Sequence, residues 1–74
     1  MGNQAHMTQA QALDILNMLR DGVMDMVTVG NTDWIYNPNM GGGEWEAYEH
    51  DGDHTEYAPV TDIYQASEMM IATD

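Results

Sequence analysis

The spacing of apolar residues changes at Gly22, from the 3.6-residue period of a helix to the two-residue period of a strand, and this limits the folds open to so short a chain. On the near side, Thr8 and Gln11 form a T-x-x-Q capping box. Good helix formers run from Gln9 to Asp21. Ala12, Ile15, Leu16 and Leu19 make the apolar stripe, widened by Leu13 and Met18. Gly22 suits the stop position, and Arg20 lies in the last turn, where the helix dipole favours a cation. On the far side Val23, Asp25, Val27 and Val29 share one face of an expected strand, and Met24, Met26 and Thr28 the other.

Turn chemistry divides the remainder. Gly30-Asn31-Thr32-Asp33 reads as a turn, followed by a short aromatic strand from Trp34 to Asn37 that ends at Pro38 and the Gly41-Gly42-Gly43 run. Asp51-Gly52 is a strong type I′ hairpin signal between Glu44–His50 and His54–Ala58. In that register Trp45 opposes Ala58, Ala47 opposes Glu56 and Glu49 opposes His54. On the other face Glu46 opposes Tyr57, Tyr48 opposes Thr55 and His50 opposes Asp53. Thr61 caps a second helix with Asp62 in its first turn; Ile63, Ala66 and Met70 form its apolar row, broadened by Met69 and Ala72. Met18, Met69 and Met70 read as core gap-fillers. The expectation is a flexible N-terminus over 1–7 and a single α+β domain over 8–74. Its parts are an N-terminal helix, a three- or four-stranded antiparallel meander and a C-terminal helix, in two layers anchored by Trp34 and Trp45. An exposed edge at Trp34–Asn37 or Val23–Val29 leaves monomer and homodimer both open.

Composition narrows function. With no cysteine there is no disulfide, no Cys-ligated zinc and no thiol nucleophile. No apolar run approaches the roughly 18 residues of a membrane span, and no basic-then-apolar leader is evident. A net charge of −12 repels nucleic acid and anionic membranes. The run from Glu49 to Glu56 invites a calcium loop, but Glu56 stands where the sharp turn needs glycine, and Asp62 stands where a bidentate glutamate belongs. His50 and His54 fall on opposite faces of the expected hairpin, so no metal or cofactor is expected. The one serine, Ser67, lies mid-helix, and paired carboxylates such as Glu44 and Glu46 lack a cleft to shift one of them. The chain is therefore expected not to be an enzyme.

Thirteen carboxylates against one arginine and no lysine exceed what solvation of a small domain requires. Alternate strand residues lie about 6.6 Å apart, near twice the ~3.4 Å rise per nucleotide, so Glu44 and Glu46 match the spacing of DNA phosphates. Asp51, Asp53 and Glu56 on the hairpin, with Asp62 and Glu68 on the second helix, extend the field. The expected partner-binding face combines these residues with Glu49, Tyr48 and Tyr57, since aromatic rings among charges make a usual protein-binding surface.

In size, in near-absence of basic residues and in α+β build, the whole chain resembles the small acidic inhibitors of bacteriophages, the anti-CRISPR and DNA-mimic anti-restriction proteins. They share no motif, so no residue role carries over. The resemblance implies a non-catalytic inhibitor in the cytoplasm of a prokaryotic host. Its partner would be a basic nucleic-acid-binding protein or CRISPR effector complex, denied its target DNA. Two alternatives stand beside it. One is an immunity protein or antitoxin anchored on a basic toxin by Tyr48, Tyr57 and Trp34; the other is a salt-adapted protein of unassigned role.

Overall fold

A computed structural model describes residues 7–39 and 42–74, apart from the side chains of Asp51 and His54. Thr8 caps α1 (Gln9–Arg20) as the sequence requires: its Oγ1 accepts from Gln11 N at 3.1 Å, and Gln11 Oε1 accepts from Thr8 N at 2.8 Å. The helix closes through Val23 N to Met18 O (2.9 Å) and Gly22 N to Leu19 O (3.2 Å), the paired bonds of a Schellman motif with Gly22 at φ +80. This closure also corrects the next element. Val23 and Met24 donate back to Met18, so their N–H groups are committed to the helix end and Val23 is left 69% exposed. The expected strand at 23–29 shrinks to β1 (Val27–Val29).

Then follow β2 (Thr32–Asn37), β3 (Glu44–Asp51), β4 (His54–Val60) and α2 (Ile63–Thr73). The four strands form one antiparallel sheet in the order β1-β2-β3-β4, with both helices on one face. The domain is α+β, as the change of period predicts.

Both two-residue turns place glycine first. Gly30 (φ +63) precedes Asn31 and Gly52 (φ +64) precedes Asp53, and no other residue type among those described has positive φ. The type I′ expectation would force Asp51 into a left-handed conformation. Instead Asp51 opposes His54 as the last ladder pair, and every β3–β4 pairing moves by two residues. Trp45 opposes Val60, Ala47 opposes Ala58, Tyr48 opposes Tyr57, Glu49 opposes Glu56 and His50 opposes Thr55. A shift of two keeps each side chain on its expected face. In the first hairpin the turn is shorter than expected, and Thr32 and Asp33 join the strand.

The core lies between helices and sheet. Ala12, Leu16 and Leu19 of α1 and Ala66 and Met70 of α2 meet Val29, Trp34, Trp45, Ala47 and Val60. Each tryptophan removes about 200 Å² from water, roughly 5 kcal/mol of transfer free energy before ordering costs. Trp45 Nε1 donates to Leu16 O at 2.9 Å, tying sheet to helix. Trp34 Nε1 and Thr32 Oγ1 are buried without a hydrogen-bond partner. The second helix is capped by Asp62, which accepts from Tyr64 N at 2.8 Å and Gln65 N at 3.3 Å, rather than by Thr61. Met70 is buried and Met69 half-buried, whereas Met18 and Ala72 are exposed and add little to the core.

Of the expected flexible segment, residues 1–6 lie outside the described ones, as does Gly41. Met7 packs on the core and donates its N–H to Asp74 Oδ2 at 2.6 Å. The sheet edges are β1 and β4. Trp34 lies inside, paired on both sides with Val27 and Ala47, and the β4 edge carries Pro59, which cannot donate to an added strand.

Gly30 is required twice over. Its φ is left-handed, and a Cβ there would overlap the Thr73 carbonyl oxygen at the end of α2. Gly22 is also left-handed but faces open space. Gly22→Ala should therefore cost about 1 kcal/mol, and Gly30→Ala more than about 2 kcal/mol, in urea unfolding. Equal costs would contradict the packing of α2 against the first hairpin.

Candidate partner-binding face

Alternation along β3 sends Trp45, Ala47 and Glu49 toward the helix side and Glu44, Glu46, Tyr48 and His50 to the face no helix covers. The shifted register sets Tyr48 directly across from Tyr57, with ring centroids 5.1 Å apart and planes tilted by 39°. The two hydroxyls reach the two glutamates. Tyr57 Oη donates to Glu44 Oε2 at 2.6 Å and lies 3.3 Å from Glu46 Oε2. Tyr48 Oη donates to Glu46 Oε1 at 2.8 Å, and Asn37 Nδ2 donates to Glu46 Oε2 at 3.2 Å. Glu44 and Glu46 are thereby only 8% and 6% exposed, while Tyr57 remains 48% exposed.

The two glutamates keep the alternate spacing expected of them, yet their carboxylates turn in to the phenol hydroxyls rather than out as a phosphate-like row. Hydrogen bonds decide the electrostatics. The Tyr48 hydroxyl holds the Glu46 carboxyl below its ordinary value of 4.5; burial opposes this, and Asn37, Glu44 and Tyr57 reinforce it. The same bonds raise the phenols: Tyr48 chiefly through Glu46, and Tyr57, more strongly, chiefly through Glu44.

A second network crosses the same face at its other end. Thr28 Oγ1 donates to Asp33 Oδ1 at 2.7 Å, and His50 Nε2 lies 2.9 Å from Asp33 Oδ2. A carboxylate accepts only, so Nε2 carries the proton. His50 Nδ1 is 3.2 Å from Thr55 Oγ1, which completes a link across all four strands. The Thr28 bond and then His50 hold Asp33 below the usual carboxylate range. Asp33 and Asn37 were not among the residues expected at the site. Their signal was the alternation Asp33, Ile35, Asn37, hidden by assigning Asp33 to a turn.

The other expected residues fall elsewhere. Glu49 and Glu56 oppose each other on the tryptophan side, both exposed, an arrangement of like charges that weakens a sheet pair. Asp53 is exposed in the hairpin turn, away from the two tyrosines. Asp51 pairs with His54 through the backbone, and both side chains lie outside the described residues. Asp62 is engaged in capping, and Glu68 is exposed on α2. Trp34 is fully buried, so it cannot anchor a partner. Among the described residues no group of three or more acidic or histidine side chains is placed to hold a metal ion, and no cavity opens. No described helix is long and apolar enough to cross a membrane. Arg20, the only arginine, stands 5.9 Å from the centre of the Trp45 ring and bonds to Asn17, in the layer opposite the tyrosines. Comparison with family models, curated proteins and solved structures gives no match.

Folding raises the two phenol values, so these bonds add stability below about pH 10 and lose it as pH climbs through the raised values. Glu46 acts in the opposite range: its contribution is present above 4.5 and fades as pH falls through its lowered value. Absorbance at 295 nm should therefore show tyrosine ionisation continuing above the ordinary range, with the latest step lost in Tyr57→Phe. An unchanged last step in that variant would contradict the Tyr57–Glu44 bond.

Proposed function

We propose that the protein is a non-catalytic acidic inhibitor that occupies the basic DNA-binding surface of a CRISPR effector complex or nuclease and excludes target DNA. It would act as an anti-CRISPR or similar anti-defence protein in the cytoplasm of a prokaryotic host. The observation that carries this reading is the charge: thirteen carboxylates against one arginine, with that arginine turned to the helix layer. Such a field speeds encounter with a cationic channel and is screened by salt. Because Glu44 and Glu46 are buried and bonded by tyrosine hydroxyls, the charges offered to phosphate-binding groups come from exposed side chains such as Glu49, Asp53 and Glu68.

The exposed Tyr57 ring favours a second reading, an immunity-type inhibitor of a basic toxin, in which a few aromatic anchors dominate affinity. The two readings rank mutations differently. Under charge mimicry the wild-type chain blocks DNA loading by a basic effector complex, and the block weakens from about 50 to 200 mM salt. Glu49→Lys with Glu68→Lys then weakens it more than Tyr57→Ala does. The reverse ranking selects the anchored reading, and DNA that still loads at saturating protein disposes of mimicry.

A further inference from the structure

Among the described residues, no cationic side chain bonds the Glu44–Glu46 pair on the uncovered sheet face. Glu44 and Glu46 are more than nine-tenths buried, and the side chains that bond them from outside the pair, Tyr48, Tyr57 and Asn37, are uncharged donors. There is no lysine, Arg20 is in the other layer, and His50, beside the Tyr48–Tyr57 pair on the side away from the glutamates, is engaged with Asp33. Next to the glutamates along the sheet lies the tilted Tyr48–Tyr57 pair, its hydroxyls on the carboxylates and Tyr57 half exposed.

We infer that this ring pair is a seat for an arginine side chain of the partner, its guanidinium lying on the Tyr57 ring within reach of the Glu44 and Glu46 charges at the hydroxyl end of that ring. The inference rests on reading the chain as an inhibitor of a basic protein, and it adds what that protein must present. Charge complementarity selects a cation, and the ring selects which one. An aromatic face attracts cations through its quadrupole, and a phenol whose proton is shared with a carboxylate is richer still in electron density. Guanidinium is planar and weakly hydrated, so it stacks at little desolvation cost; the ammonium of lysine is compact and strongly hydrated. Exposed carboxylates such as Glu49 and Glu68, by contrast, favour either cation about equally.

The test is a titration of the isotope-labelled full chain with hexa-arginine and, separately, hexa-lysine peptide at one ionic strength, followed by amide and ring NMR shifts. Shifts should centre on Glu44 to Tyr48 and on Tyr57, and hexa-arginine should bind about 3- to 10-fold tighter. Tyr57→Ala should reduce that preference to near unity, with melting recorded alongside. Should that variant unfold, the wild-type shift map and the arginine-to-lysine ratio still decide. Equal affinities, no binding, or shifts spread over Glu49, Asp53 and Glu68 without a centre at Tyr57 would overturn the inference. DNA competition reports separately: a chain that blocks DNA while its peptide shifts lie elsewhere loses the arginine seat and keeps the inhibitor role. A localised arginine seat without a DNA block gives the converse.

Discussion

Gly52 adopts a backbone conformation that no other residue type among those described shares, and the central hairpin is built from it. Because Gly52 stands first in the two-residue turn, Asp51 is left in the ladder and Tyr48 meets Tyr57. The same register brings Val60 against Trp45 in the core. One torsional constraint thus sets both sides of the sheet. On the inner side it matches apolar partners under the helices; on the outer side it pairs two phenols whose hydroxyls bond two glutamates.

Those glutamates show how so acidic a domain holds a sheet face together without cations. A buried carboxylate is costly unless hydrogen-bonded. Here hydroxyl and amide donors from three strands supply the bonds, and for Glu46 they outweigh burial. Asp33 is served in the same way by Thr28 and His50. At the hairpin tip Glu49 and Glu56 oppose each other at exposed positions, where water and salt screen their repulsion. The negative charge is therefore of two kinds, an exposed field over the surface and an inward pair bonded to phenol hydroxyls. The first is long-ranged and screened by salt, and the second is local and fixed by hydrogen bonds.

Much of the fold was legible in the sequence because its signals are local. The Thr8–Gln11 box, the Gly22 stop and the alternation of β3 depend on near neighbours, and each side chain of the hairpin keeps its expected face. What failed depends on competition between elements. Val23 and Met24 have strand pattern, but the helix end takes their N–H groups first. Asp51-Gly52 carries the type I′ signature, yet the left-handed position goes to glycine alone. Thr61 and Asp62 are both capable caps, and only the path of the chain into α2 selects Asp62. At the candidate site, Glu44, Glu46, Tyr48 and Tyr57 were found by face and Asn37 was missed, since a donor from a neighbouring strand is visible only once register is known. Burial of the glutamates was likewise illegible, because sequence places a carboxylate on a face without saying which way it folds.

Glu46 stays ionised beside the Tyr48 hydroxyl because hydrogen bonding outweighs burial. Following the Glu46 side-chain carboxyl carbon by NMR through an acid titration tests it most directly. The midpoint should lie below 4.5 and rise in Tyr48→Phe, where the largest stabilising bond is removed. A midpoint at or above 4.5 in the wild type, or one that ignores Tyr48→Phe, would contradict it.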